Sequence, residues 1–312
     1  MASTFIPFEE SIAGQQTIGK VRQSDVRTSA QNFVARTPLY VSSNFVVSEK
    51  VRQQLDCLRS RRANHDLVYN QWGLSDIDPT GRHIAFNLYG PPGTGKTMCV
   101  EVLAAEWNVS IIDVNYAEIE SKYVGDTGKN IVAAFAAAKE QNALLFFDEA
   151  DSILGKRMTS VTQAADQAVN VARAVMLKQL DSFDGIVAFA TNLARNFDSA
   201  FVRRIPIHIE MSLPDVNGRK CIAVMLTPDK VPFKGLINFD KLAIASEGFS
   251  GGDLKNVIVN AISNLATCRW DSMTEDSITE EFLRQAEFVN KAKKAVGSST
   301  DAVAGNEKEV HV

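Results

Sequence analysis

The chain has 312 residues, of which 45% are hydrophobic and 22% charged, a composition typical of globular proteins and unlike that of collagen-like or disordered chains. Its net charge of -4 gives no overall positive field, which argues against nucleic acid as a partner. The four cysteines are far apart and form no CxxC pair, which favours reduced thiols over a metal site or a disulfide framework.

Neither a membrane span nor a secretory signal is indicated. No apolar run approaches the roughly 20 residues that cross a bilayer. The first ten residues, MASTFIPFEE, lack a basic segment followed by a long apolar one. We therefore expect a cytoplasmic protein that does not bind membranes.

The first two thirds of the chain predict an arm followed by an α/β domain. Residues 1–45 show no sustained apolar period and are predicted to form a poorly ordered N-terminal arm. Apolar residues then recur every three or four positions from Val47 to Leu58, which predicts a helix over 46–61. Downstream, short apolar strands alternate with helices. The predicted strands are 81–90, 109–114, 143–147, 186–190 and 204–210, and the predicted helices between them are 97–107, 127–139 and 165–183.

This alternation predicts the fold class, an α/β domain over 46–213 with a doubly wound parallel sheet of five strands. Near-continuous apolar strands are typical of parallel sheets that helices cover on both faces. Pro206 in the last strand cannot donate a hydrogen bond to a neighbour, which predicts that this strand lies at an edge of the sheet.

Beyond Pro214 the pattern is helical. Helices are predicted over 216–226, 239–246, 251–266 and 278–294, which gives a second, helical domain over 214–296 and a flexible tail over 297–312. Ser250 and Asp253 have the spacing of a capping box at the start of the third of these helices.

Residues 90–97, GPPGTGKT, match the phosphate-binding pattern GxxxxGK[ST] and stand between a predicted strand and a predicted helix. The glycines let backbone N–H groups approach phosphate oxygens, and the helix N-terminus adds the positive end of its dipole. In this pattern Lys96 contacts the β- and γ-phosphates, and the Thr97 hydroxyl ligates Mg²⁺. The predicted nucleotide-binding residues are Gly90, Pro91, Pro92, Gly93, Thr94, Gly95, Lys96, Thr97 and Met98.

A second motif, LLFFDE at 144–149, is an apolar strand that ends in two carboxylates. In open α/β folds, ligands bind at this end of the strands. We predict that Asp148 holds Mg²⁺ through water ligands and that Glu149 polarises the attacking water as a general base. An isolated acidic pair is more often a solvated turn, but its occurrence with the glycine-rich loop favours the catalytic interpretation.

Together these motifs resemble those of the AAA+ ATPases, specifically the AAA clade, over about residues 46–262. GPPGTGKT resembles the Walker A element, and FFDEAD resembles the Walker B element. Ala190-Thr191-Asn192 resembles sensor 1, which implies that Asn192 positions the lytic water. The resemblance implies a P-loop NTPase-type fold with a helical lid, ATP and Mg²⁺ as cofactors, and ATP hydrolysis.

The same resemblance assigns roles to three other segments. Arg203 and Arg204 stand where the clade has arginine fingers that reach the γ-phosphate of a neighbouring subunit, which implies a homo-hexameric ring. Tyr123 and Val124, in SKYVGD, match the first pore loop, which grips an extended polypeptide substrate. Outside this family register, paired arginines are usually solvated and a tyrosine is usually half-buried. The segment 155–157 fits either a second pore loop or a basic surface turn.

Within the clade, residues 161–204 look most like small bacterial relatives of the pachytene-checkpoint AAA+ ATPases, which remodel HORMA-domain proteins. This implies a ring that pulls a HORMA-domain protein through its pore in antiviral signalling. The alternatives are an ATPase of the sporulation or contractile-injection-associated type acting in assembly, and an ATP-gated scaffold, against which Glu149 and both arginines argue. A DNA-acting loader is disfavoured by the acidic balance of the chain.

Overall fold

The computed structural model describes residues 33–78, 81–115, 126–155, 164–192, 197–267 and 273–306. A five-stranded sheet with flanking helices precedes an all-helical region. The strands are β1 Ile84–Tyr89, β2 Ile111–Asn115, β3 Leu144–Asp148, β4 Ile186–Thr191 and β5 Ile207–Glu210. The helices around the sheet are α1 Glu49–Ala63, α2 Leu74–Ile77, α3 Lys96–Glu106, α4 Asp126–Glu140, α5 Asp151–Leu154, α6 Ala164–Ser182 and α7 Ser199–Arg204, with a 3₁₀ turn at Ser42–Asn44 and a π-helical turn at Leu67–Gln71. The helical region contains α8 Val216–Leu226, a 3₁₀ turn at Lys234–Leu236, α9 Phe239–Ala245, α10 Gly251–Ala266 and α11 Glu275–Asn306.

The sheet is parallel throughout, with the strand order β2-β3-β4-β1-β5. The predicted α/β class and all five strands are confirmed. β5 pairs only with β1 and therefore lies at the edge that Pro206 predicted. It begins at Ile207 instead of Arg204, because residues 199–204 form α7.

The inner strands β1, β3 and β4 are mostly apolar because both faces of the sheet are buried there. In β1, Ala85 packs into one apolar cluster, whereas Phe86 and Leu88 pack into a second cluster on the other face. In β3, Leu145 and Leu144 are divided between the clusters in the same way. Alternate residues of a strand point to opposite faces, so a strand covered on both sides has few polar positions, of which the buried Asn87 in β1 is one.

Two of the predicted helices differ from the prediction by three residues or more at an end. α1 begins at Glu49 because the Ser48 hydroxyl accepts a hydrogen bond from the Val51 N–H and caps the helix there. α11 runs from Glu275 to Asn306, which is longer than the predicted helix over 278–294.

The helical region has its own apolar cluster, which includes Phe249, Leu254 and Phe282. The predicted capping box of Ser250 and Asp253 is confirmed at the start of α10. Among the described residues, no helix is both long and apolar enough to cross a membrane.

Residues 33–40, which the sequence analysis placed in a poorly ordered arm, are bound to the outer side of β2. Arg36 exchanges two backbone hydrogen bonds of 2.8 Å with Ile111. Its guanidinium contacts Glu101 on α3 and Asp113 on β2, both at 2.5 Å. Phe33 and Ala35 also pack against the apolar cluster on one face of the sheet. Apolar periodicity did not predict this attachment, because residues 33–40 form neither a helix nor a strand and most of their contacts are backbone hydrogen bonds and ion pairs.

Candidate nucleotide-binding and catalytic site

The glycine-rich turn lies where β1 ends and α3 begins. Gly93 has a φ of +74°, and a Cβ at this position would lie 2.6 Å from the Ser250 hydroxyl. The carbonyl of Gly93 accepts a hydrogen bond of 3.0 Å from the Gly252 N–H at the start of α10. Only glycine therefore fits between the turn and the helical region, and the turn is held against α10.

Lys96, the first residue of α3, directs its ammonium group at three oxygens. It donates to the carbonyls of Gly90 at 2.8 Å and Pro91 at 2.9 Å, and to Asn192 Oδ1 at 2.9 Å. Its side chain is buried, and this burial lowers the pKa of Lys96, opposed by the negative charge of Asp148 and Asp151. The Lys96 ammonium is charged, whereas the three oxygens that accept its hydrogen bonds are neutral. Charged phosphate oxygens form stronger hydrogen bonds with an ammonium and can replace these acceptors.

Thr97 and Asp148 present oxygen ligands at the carboxyl end of the sheet. The Thr97 hydroxyl donates to Asp148 Oδ2 over 3.0 Å, and Asp148 Oδ1 accepts from the Glu149 N–H over 2.8 Å. Hydroxyl and carboxylate oxygens are the ligands that Mg²⁺ prefers, so this pair fits the ion. Glu149 has a φ of +51°, which is uncommon for a residue other than glycine. Such local strain is found at catalytic positions, and it agrees with the predicted role of Glu149.

Asp151, at the start of α5, is a site residue to which the sequence analysis gave no role. One of its oxygens accepts a hydrogen bond from the Thr191 hydroxyl and a second, of 3.0 Å, from the Asn192 N–H. Asn192 in turn accepts from Lys96. Asp151 therefore fixes the position of the predicted sensor residue. The only sequence signal was a third acidic residue in the FFDEAD motif, and its partners are visible only in the folded chain.

These groups line a cleft of about 660 Å³ between the sheet and the helical region. The polar lining includes Asp148, Glu149 and Asn192 together with residues 92–98 of the glycine-rich turn and α3. Gly90 and Pro91 do not line the cleft but hold the Lys96 ammonium. The apolar lining, which suits a nucleobase, comes from Phe45, Val46, Val47, Met211, Ile222, Met225 and Leu226. Sequence analysis did not predict these apolar residues, because they belong to separate segments without a shared motif.

The two predicted finger arginines lie at the end of α7, and neither lines this cleft. Arg204 forms a bidentate ion pair with Asp181, at 2.6 and 2.9 Å. Arg203 is exposed. The structure of one chain therefore does not bring the arginines to its own nucleotide site.

The predicted pore residues Tyr123 and Val124 lie outside the described residues, as do Lys156 and Arg157. The first pair is part of the connection between β2, which ends at Asn115, and α4.

Comparisons with known proteins agree on one family. The family model described as "ATPase family associated with various cellular activities (AAA)" matches residues 86–213. A proteasome-activating nucleotidase of Methanococcus maripaludis is 33% identical over 95% of this chain and 72% of its own. A 26S proteasome regulatory subunit 6A of Encephalitozoon cuniculi is 37% identical over 56% of this chain and 45% of its own. A probable 26S proteasome regulatory subunit 10B of Caenorhabditis elegans is 33% identical over 66% of this chain and 51% of its own. The chain thus spans about half the length of most curated relatives that it matches.

Proposed function

We propose that this chain, which belongs to the AAA family of ATPases with ATP and Mg²⁺ as cofactors, acts as a ring that couples ATP hydrolysis to the unfolding or remodelling of a protein. The observation that carries the proposal is the convergence of Lys96, Thr97, Asp148, Glu149 and Asn192 on one cleft, where the first four were predicted from two separate motifs.

Each of these residues has a distinct role in hydrolysis. Lys96 neutralises charge on the β- and γ-phosphates, while Thr97 and, through water, Asp148 hold Mg²⁺. When bound by these residues, Mg²⁺ would supply positive charge that offsets the negative charge developing on the phosphates. Glu149 accepts the proton of the attacking water, and Asn192 orients that water from its place beside Lys96.

We further propose that Arg203 and Arg204 complete the site of a neighbouring copy in a homo-hexamer. Their absence from the lining of their own cleft and the exposure of Arg203 support action on a second subunit. An arginine that reaches the γ-phosphate in trans stabilises transition-state charge and makes hydrolysis depend on assembly.

The substrate is proposed to be a protein gripped in the ring pore by Tyr123 and Val124. The names of the relatives, which include proteasome-activating nucleotidases, favour protein unfolding over assembly or a passive scaffold. A HORMA-domain substrate and an antiviral role stay predictions based on the resemblance alone. A cytoplasmic location stays a prediction from the sequence signals described above.

The first test is Glu149→Gln, with Glu140→Gln as the control because Glu140 is an exposed glutamate at the end of α4. We expect Glu149→Gln to lower turnover about 10²–10⁴-fold while ATP binding persists, and the control to behave as the unaltered chain. Mass spectrometry of proteins retained by the Glu149→Gln ring in ATP then identifies the substrate, whether a HORMA-domain protein or another. Unchanged turnover in Glu149→Gln would refute the assignment of the base.

Mixing two inactive variants tests the ring. Arg203→Ala has an intact cleft and lacks the finger, whereas Glu149→Gln has the finger and lacks the base. If Arg203 acts in trans, mixed rings contain interfaces with both groups, and ATPase activity returns. Activity that stays at the sum of the two separate variants would exclude the trans arrangement.

A further inference from the structure

A second pocket, of about 150 Å³, lies at the edge of the sheet opposite to the nucleotide cleft. It is formed by the segments that lead into the strands β1, β2, β3 and β4, whereas the nucleotide cleft is at the strands' carboxyl ends. Its volume is less than a quarter of the 660 Å³ of the nucleotide cleft, so it has room only for a small ligand. The polar residues that line this basic pocket are Arg62, His65, Arg82, Lys139, Asn142 and Asp184.

The pocket collects positive charge in a chain whose net charge is -4. Arg62, Arg82 and Lys139 are cationic, and Asp184 is the single carboxylate in the lining. Among the described residues, none of the three cations has a carboxylate within ion-pair distance. The pocket therefore carries an excess of positive charge that described side chains do not neutralise.

The guanidinium of Arg62 is incompletely hydrogen-bonded by the described residues. Its Nε atom is buried and has no hydrogen-bond acceptor among the described residues. A buried charged donor without an acceptor destabilises the folded chain, and an anion bound beside the guanidinium would offset part of that cost. Guanidinium groups bind oxyanions through parallel N–H donors.

The wall of the pocket is held in place without using the cationic groups. The His65 Nε2–H donates to the backbone carbonyl of Arg82, which joins the segment after α1 to the turn before β1. The His65 ring also stacks on Tyr69, with 4.8 Å between ring centroids. The side chain of Arg82 takes part in neither contact and is exposed at the pocket.

We propose that this basic pocket binds one small tetrahedral oxyanion, of the size and charge of inorganic phosphate. Arg62 contributes fork-shaped donors, and Arg82 and Lys139 contribute charge. The side-chain amide of Asn142 contributes a neutral donor. The site is separate from the phosphate-binding turn at residues 90–97, and its existence does not depend on ATP hydrolysis.

The test must distinguish this pocket from the glycine-rich turn, where ADP occupies the β-phosphate position and where the pocket variants described below would not alter phosphate that binds in the γ position. The full chain is saturated with ADP and Mg²⁺ and then titrated with sodium phosphate by calorimetry at constant ionic strength, with chloride as the balancing anion. We expect saturable binding of one phosphate per chain, reproduced with sulfate and absent in a chloride titration.

Two double variants that remove the same charge show where the anion binds. Arg62→Gln/Lys139→Gln alters the pocket, whereas Lys291→Gln/Lys294→Gln alters exposed positions on α11. We expect phosphate affinity to fall by about tenfold or more in the first variant and by less than about twofold in the second.

A third variant keeps the test valid if the first does not fold. Arg82→Gln removes an exposed side chain while its backbone carbonyl still accepts from His65. It should also weaken phosphate binding, with an unchanged thermal midpoint in chloride. The proposal is overturned if the ADP-saturated chain shows no saturable phosphate binding, or if the pocket variants and the α11 variant bind phosphate equally.

Discussion

Replacing Arg36 by alanine is expected to lower the free energy of unfolding by about 2–3 kcal/mol. The Glu101 side chain on α3 is 3% exposed, and Arg36 contacts it at 2.5 Å. The only other described hydrogen bond to this carboxylate comes from the Leu39 N–H, at 2.6 Å. Breaking a buried ion pair costs about 3–5 kcal/mol, because a charge is left without its partner. The Arg36 side chain is 36% exposed and the Leu39 N–H remains, so we expect a loss below that range.

A second arginine provides the matched control. Arg59 forms ion pairs of 2.8 Å with Glu106 and 2.7 Å with Asp56, but these carboxylates are 26% and 61% exposed. Arg59→Ala should therefore cost only about 0.5–1 kcal/mol. Urea unfolding followed by circular dichroism measures both losses, and hydrogen exchange of the α3 amides shows whether the Arg36→Ala loss is local to that helix.

The expected loss comes from the buried Glu101 carboxylate left without Arg36, so removing both charges should recover most of it. We expect Arg36→Met/Glu101→Met to be more stable than Arg36→Ala alone, since the apolar pair leaves no buried carboxylate, and Asp113, the other partner of Arg36, is 42% exposed and stays solvated. If Arg36→Ala costs no more than Arg59→Ala, the Glu101 carboxylate is not stabilised by Arg36, and the docking of residues 33–40 on β2 has another origin.

Three further predictions concern the cleft and the helical region. Gly93→Ala should lose more stability and nucleotide affinity than Gly248→Ala. Both glycines have a positive φ, but of these two only Gly93 has an atom within 3 Å of an added Cβ. Urea unfolding and nucleotide titration of the two variants test this. Burial raises the pKa of the Cys99 thiol to about 12, so iodoacetamide should leave Cys99 unmodified. Cys221 is exposed and lines the cleft, so it should be modified, and bound ATP should protect it. Peptide mapping measures both modifications. Although partial burial opposes it, hydrogen bonds hold the pKa of Asp253 below its ordinary value. The stability that the Asp253 carboxylate contributes is therefore present above about pH 4 and is lost as the pH falls through the lowered pKa. Between about pH 5 and 3, the unfolding midpoint of Asp253→Asn should depend less on pH than that of the unaltered chain.

The strands and the glycine-rich loop were predictable because their cause is local. A strand buried on both faces is mostly apolar, which made the inner strands recognisable. The edge position of β5 was also predicted, although Pro206, on which that prediction rested, lies just before the strand. α1 begins three residues later than predicted, because the Ser48 cap, and not the apolar period, decides where that helix starts. The roles of Asp151 and Arg36 could not be predicted, because both depend on partners from distant segments of the chain.

The order of the strands explains why separate motifs form one site. β1 and β4 are far apart in sequence but adjacent in the sheet, and their register pairs Tyr89 with Thr191. The next residues, Gly90 and Asn192, therefore end their strands at the same level, and the Lys96 ammonium contacts both. No local pattern contains this adjacency. The same strand order brings the starts of four strands together at the opposite edge, where the basic pocket lies. Its residues share no motif, so sequence analysis finds the nucleotide cleft and overlooks this pocket, although one topology builds both.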